Sequence, residues 1–224
     1  MKVNKEVLEF LKKLKKNNNR VWFKEHKPEF DELKSGMEEF YLEIKKGLSE
    51  EDEIEKLKVY RIYRDVRFSK DKTPYKSHFA GSFSRNGKRL RGGYYLRISP
   101  GESFLAGGFW GPNKEDLFRI RKEFEISDTE IREILSAADF EKYFGGRLEG
   151  DELKTAPKGF QKDDPAIDLI RKKAFIATRK FTDQEVLSPD FKDEVIRSFR
   201  ALRPYFDYMS EVLTTDLNGV STVD

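Results

Sequence analysis

Val7, Phe10, Leu11 and Leu14 recur at the 3.6-residue spacing of an amphipathic helix, and the polar run Asn17-Asn18-Asn19 ends it. A second helix is expected from about Pro28, a good first-turn residue. Phe30, Leu33, Met37, Phe40, Tyr41, Ile44 and Leu48 lie along one of its faces, with Gly47 near its end. The acidic stretch from Glu50 to Glu55 reads as a solvated connection.

From Leu57 the period changes from 3.6 to 2. Tyr60, Ile62, Val66 and Phe68 alternate with Arg61, Tyr63, Asp65 and Arg67, the pattern of a half-buried strand, while Arg64 falls on the apolar parity. Pro74 marks the segment from Ser69 to Lys76 as a loop. Asn86-Gly87 between two alternating runs predicts a two-residue hairpin turn. That turn would set Phe83 opposite Leu90 and Phe79 opposite Tyr94 on an apolar face. The other face would then pair Ser82 with Arg91, His78 with Tyr95 and Lys76 with Arg97. A one-residue slip would drive Arg91 and Arg97 into the core, so the pattern itself favours this register. With Pro100-Gly101 as a further turn, the expectation is an antiparallel meander of at least four strands, at about 57–68, 76–85, 89–99 and 103–110.

The remainder reads as mainly helical. Asn113 can cap a helix carrying Leu117, Phe118, Ile120 and Phe124. Ser127-Asp-Thr-Glu130 and Thr182-Asp-Gln-Glu185 are capping boxes. Asp164-Pro165 opens another helix, and Ser188-Pro189 starts a last long one with a break at Arg203-Pro204. No repeat or low-complexity linker interrupts the chain. The expected fold is therefore α+β: one domain over residues 1–224, helical to about 50, an antiparallel sheet at 57–110, and mainly helical over 113–215.

Composition narrows the chemistry. With 37% hydrophobic and 38% charged residues, 19 Phe and 9 Tyr, the chain can bury a bulky core beneath a heavily charged surface. No apolar run approaches the roughly 20 residues that cross a bilayer, and no apolar leader opens the chain, so a cytoplasmic protein without membrane association is expected. There is no cysteine, which excludes disulfides, thiol catalysis and cysteine-ligated metals. His26 and His78 are the only histidines, so no site of three histidines can form within one chain. No metal and no cofactor is expected.

Charge is distributed very unevenly. Twelve Lys and Arg but only Asp65 and Asp71 fall between Lys58 and Arg97, a surplus of ten in a chain of net charge +3, so the rest carries −7. Such a cluster must be solvated, paired, or matched by an external anion. If the strand faces coincide, Arg61, Arg67, Arg91 and Arg97 converge with Tyr63, Tyr95, His78 and Asp65. Guanidinium forks match the oxygens of phosphate or carboxylate. Lys70, Lys72 and Lys76 could close over such a ligand, and Arg64 belongs to the same run. The competing reading is a solvated sheet face of internal Arg–Asp pairs, with Asp71, Thr73 and Pro74 merely building a turn.

His78, Asp65 and Tyr95 are the candidate proton carriers should the site be catalytic. Neither histidine has a recognisable serine partner, and the loop lacks the glycines of a Walker phosphate loop, so neither a serine hydrolase nor a nucleoside triphosphatase is supported. The pairs Gly92-Gly93 and Gly107-Gly108 inside predicted strands require close approach, by a ligand above the sheet or by a helix packed on it.

The chain resembles the domain of unknown function 2461 family of bacteria and fungi over nearly its whole length. The resemblance is carried by Asn18-Asn-Arg-Val-Trp-Phe23, Arg64-Asp-Val-Arg-Phe-Ser-Lys-Asp-Lys-Thr-Pro-Tyr-Lys76, Gly92-Gly-Tyr-Tyr-Leu96, Gly107-Gly-Phe-Trp-Gly-Pro112 and Ala156-Pro-Lys-Gly-Phe160. It implies a special site around Arg61 to Lys76 but no particular reaction.

Three functions compete. The leading one is binding of an anionic small molecule, such as a phosphate-bearing ligand, on the basic sheet face. The second is single-stranded nucleic-acid binding, in which cations track the backbone while Tyr60, Tyr63, Phe68, Tyr75, Tyr94 and Tyr95 stack bases. The third is an adaptor whose basic face docks an acidic protein.

Overall fold

A computed structural model describes residues 2–223. Its strands β1 (Ile54–Val59), β2 (Phe79–Arg85), β3 (Gly93–Ile98), β4 (Ser103–Phe109) and β5 (Phe175–Phe181) form, among the described residues, an antiparallel five-stranded sheet in the order β1-β2-β3-β4-β5. Helices α1 (Lys5–Lys16), α2 (Arg20–Glu25) and α3 (Lys27–Leu48) precede it. Helices α4 (Lys114–Ile126), α5 (Thr129–Ser136), α6 (Ala138–Phe144) and α7 (Ile167–Ile170) separate β4 from β5, and α8 (Asp183–Val186), α9 (Phe191–Arg200) and α10 (Arg203–Thr214) follow. The fold class is the α+β expected from the sequence.

Several local expectations change. The first strand lies at 54–59: it starts within the stretch read as a solvated connection, shares only its last residues with the strand expected at 57–68, and ends before Arg61. Asn86 does not adopt the positive φ that a two-residue turn needs at both central positions, although Gly87 does, at 71°. A loop over 86–92 takes the turn's place and removes Leu90 and Arg91 from the ladder, so the predicted facing pair Phe83–Leu90 is absent. The predicted faces survive nonetheless: Tyr94, Leu96 and Ile98 are buried while Tyr95 and Arg97 are half-buried. Strand β5 was not anticipated. At α5 the expected capping box does not form, whereas Thr182 and Glu185 make theirs fully and Asn113 accepts from the Asp116 N–H at 2.8 Å.

The chain divides into two compact units. The first comprises Met1–Phe83, Tyr95–Leu105 and Lys180–Arg197. Its core is rich in aromatic rings set among aliphatic side chains. Phe30 stacks on Phe79 at 5.8 Å and Phe40 on Phe191 at 6.0 Å, while Phe181 meets Phe191 edge-on at 5.1 Å. The sequence periodicity places Phe30, Phe40 and Tyr41 on one face of α3, and burial of each such ring stabilises the unit by roughly 2–3 kcal/mol. Gly81 lets the Tyr41 ring approach β2: a β-carbon there would lie 2.8 Å from it.

The second unit comprises Ser84–Tyr94, Ala106–Arg179 and Ser198–Asp224. Tyr94 packs edge-on against Phe199 and Phe206 at 5.0 and 4.9 Å, and the Tyr205 hydroxyl donates to the Phe175 carbonyl at 2.9 Å. The strand glycines serve this packing. A side chain at Gly107 would strike Leu202 and Phe206, and one at Gly108 would strike the backbone of Phe175 in β5. Close packing, rather than space for a ligand, accounts for that glycine pair.

Candidate functional site

In the first unit the chain leaves β1 and makes an excursion before entering β2. Its two limbs pair with each other: the Lys76 N–H donates to the Ile62 carbonyl at 2.7 Å, and the Arg64 N–H to the Pro74 carbonyl at 2.9 Å, around an antiparallel bridge between Tyr63 and Tyr75. The loop at the tip, residues 65–73, is pinned from within. Asp71 accepts from the N–H and hydroxyl of Thr73 at 2.9 and 2.8 Å and from the Arg64 guanidinium. Asp65 takes two bonds from Arg67, at 2.9 and 2.6 Å, and the Lys72 ammonium donates to the Val66 carbonyl at 2.9 Å. Both loop aspartates thus have cationic partners. The bonds from Thr73 and Arg64 hold the Asp71 carboxyl down at about 2, and the Arg67 bonds keep that of Asp65 below its usual value.

The base of the excursion is fastened to the turn after α1. The Asn18 side chain donates to the Tyr75 carbonyl at 2.9 Å and accepts the Tyr75 N–H at 3.1 Å, while the Tyr75 ring stacks on Phe23 at 4.0 Å. Between these parts and β3 lies a hollow of about 540 Å³. Lys15 and Asn18 line it from the α1 side, Arg64, Lys76 and His78 from the excursion, and Arg97 from β3, with Asp65, Asp71, Thr73, Tyr75 and Ser77 completing the wall.

Three of these groups are electrostatically unsettled. Half-buried Lys76 has its pKa lowered first by loss of water, then by repulsion from Arg61, Lys58 and Arg64. His78, also half-buried, is pushed down to about 4 by burial and by Arg97, Lys76 and Arg64, so its ring is neutral near pH 7. Arg97 donates to Glu102 at 3.2 Å and lies over the Phe104 ring at 5.8 Å, yet its buried Nε–H has no partner. A buried donor left unmade costs about 1–3 kcal/mol, and an acceptor entering the hollow could satisfy it.

The convergence of four arginines predicted from the sequence does not occur. Of those four, Arg97 alone lines the hollow. Arg61 is exposed, Arg67 is exposed and bound to Asp65, and Arg91 lies in the 86–92 loop of the second unit, paired with Asp116. The first strand stops at Val59, so the alternation of Arg61, Tyr63, Asp65 and Arg67 never becomes a strand face. Arg64, out of phase in the sequence, does line the hollow, as do Lys76, His78 and Asp65. Lys70 and Lys72 are exposed on the tip loop. Tyr63 is half-exposed against Phe23 and Tyr75, and Tyr95 lies outside the lining with its ring beside Tyr60 and Phe104 at 6.2 and 5.6 Å.

Lys15 and Asn18 were not foreseen. They stand more than forty residues before the basic run, and Asn18 reads locally as a helix terminator. Its place in a motif shared with the resembled family was the available signal. The proposed aromatic track is also reduced, because Tyr75 and Tyr94 are buried and Tyr60 packs against Tyr95. Among the described residues no helix is long and apolar enough to cross a membrane.

No curated protein and no solved structure matches the chain. A family model described as "Conserved hypothetical protein (DUF2461)" matches residues 6–208, which takes in the α1 turn, the whole excursion and the sheet, and the chain therefore belongs to that family.

Proposed function

We propose that this protein binds a phosphorylated or otherwise anionic ligand in the hollow between the α1 turn, the 60–78 excursion and β3. One observation carries the reading: Lys76 and the unpartnered Nε of Arg97 share a hollow whose two aspartates already have arginine partners. Loss of water, and after it repulsion from Arg61, Lys58 and Arg64, lowers the Lys76 pKa; the hollow's aspartates are already taken up by Arg64 and Arg67, while Arg97 is bound to the exposed Glu102 outside the lining. At an effective dielectric of about 20, an anion roughly 4 Å from one cation gains about 4 kcal/mol before desolvation. Thr73 and Ser77 add hydroxyl groups, and neutral His78 can take up a proton when negative charge arrives. The pinned loop lowers the ordering cost of binding, since its shape exists before the ligand does.

The test is thermal unfolding in sulfate, phosphate and pyrophosphate at constant ionic strength. The native protein should gain stability with anion concentration. Lys76→Met and Arg97→Met should lose that gain while remaining folded, and Arg61→Ala should keep it. Anion-independent melting of the native protein would refute the reading.

A further inference from the structure

We infer that the ligand of the hollow is a nucleotide, with its phosphate among Lys76, Arg97 and Lys15 and its base lying on the ring of Phe68. This rests on the anion reading above and goes further by naming the second half of the ligand. Phe68 is 96% exposed, more than any other large apolar side chain among the described residues. It stands on the tip loop whose Asp65, Asp71 and Thr73 form part of the hollow's wall. It lies three positions after Asp65, so at most about 11 Å of chain divides its backbone from that wall. A nucleotide's sugar can bridge such a gap.

The ring is also presented rather than merely left out. Arg67, whose guanidinium lies 5.9 Å from the Phe68 centroid, is clamped by Asp65, and the carbonyl of Val66 is held by Lys72. An exposed aromatic face on a pinned loop beside a cationic hollow matches a molecule that is charged at one end and flat and apolar at the other. A long single strand fits less well, because the other aromatics of the basic run are buried or packed together and one free ring serves one base. A lipid surface also fits less well, because Phe68 is the loop's only exposed large apolar residue.

Calorimetric titration with adenosine monophosphate, ribose 5-phosphate and inorganic phosphate tests the assignment. The monophosphate should bind about tenfold more tightly than ribose 5-phosphate, the increment expected of one stacked base. Phe68→Ala should bring the two to equal affinity without changing ribose 5-phosphate binding, and Phe68→Trp should keep the preference. Equal affinities in the native protein, or a preference that survives Phe68→Ala, would overturn the platform and leave the anion site standing. If none of the three binds, both readings fall. Binding to phosphatidylserine vesicles that Phe68→Ala abolishes, without any nucleotide preference, would overturn it in favour of a membrane surface.

Discussion

The side-chain amide of Asn18 pairs with the backbone of Tyr75 through both of its polar atoms, at 2.9 and 3.1 Å, as a neighbouring strand would. A residue in the turn after α1 thereby fixes where the excursion leaves the body of its unit. Asn18→Ala should destabilise the protein by about 1–3 kcal/mol, because it leaves two backbone groups of a buried residue without partners. Asn18→Asp keeps an acceptor for the N–H but sets a negative charge against a carbonyl on the hollow's rim. It should therefore weaken sulfate binding as well as stability, which denaturant melts with and without sulfate would separate.

His78 makes stability depend on pH in a definite direction. Its pKa is about 4 in the folded protein against the ordinary histidine value of 6.5, so between these values the unfolded chain holds more protons. Stability from this group is complete above about pH 6.5 and is lost as pH falls toward 4, by roughly 3 kcal/mol in all. Asp71, at about 2, acts only in a lower window. Denaturant unfolding from pH 7 to pH 4.5 should show this slope in the native protein and a much shallower one in His78→Gln. Equal slopes would mean that His78 is not desolvated as described.

Sulfate does not titrate in this range, so it isolates the response of the protein. An anion beside His78 offsets the repulsion from Arg97, Lys76 and Arg64 and raises the imidazole pKa. At pH 5.5, sulfate binding should be accompanied by uptake of up to about one proton. Calorimetry in buffers of high and low ionisation enthalpy would reveal it as a buffer-dependent heat, absent from His78→Gln.

Two glycines should respond oppositely to alanine. Gly36 lies in the interior of α3 with nothing within 4 Å of the added carbon, so Gly36→Ala should stabilise by about 0.5–1 kcal/mol. Gly108 has φ 145° and its added carbon would collide with the Phe175 backbone. Gly108→Ala should destabilise by several kcal/mol, on the order of the largest single-residue effects. Thermal melts of the two variants decide the matter.

What could be read from the chain depended on how local the responsible physics was. Val7, Phe10, Leu11 and Leu14 all proved buried on α1, because helix periodicity reports burial directly. Asn86-Gly87 misled because the turn it favours competes with contacts made elsewhere: Gly92, at φ 87°, lies under the Phe206 ring, and the Arg91 N–H donates to the Ser210 hydroxyl at 2.8 Å. Strand β5 was legible after all, since Phe175, Ala177 and Phe181 are buried at odd positions, but it sits between helical segments that draw attention away. At the hollow, the clustering of charge marked the segment that supplies much of the lining. It could not separate Lys76 and Arg97, which face the hollow, from Arg67 and Arg91, which are taken up by Asp65 and Asp116.

The position of β5 has a consequence for synthesis. Its hydrogen-bonded neighbour in the sheet is β4, yet α4 to α7 intervene in the chain. A nascent polypeptide that has emerged only as far as α7 carries β4 with one open edge, and the Gly107-Gly108 pair there has no side chains to shield it. Closure of the sheet must wait for residues 175–181 to clear the ribosome. Chains truncated just before that strand should aggregate, whereas the full chain, with α9 and α10 to fill the cores as well, should not.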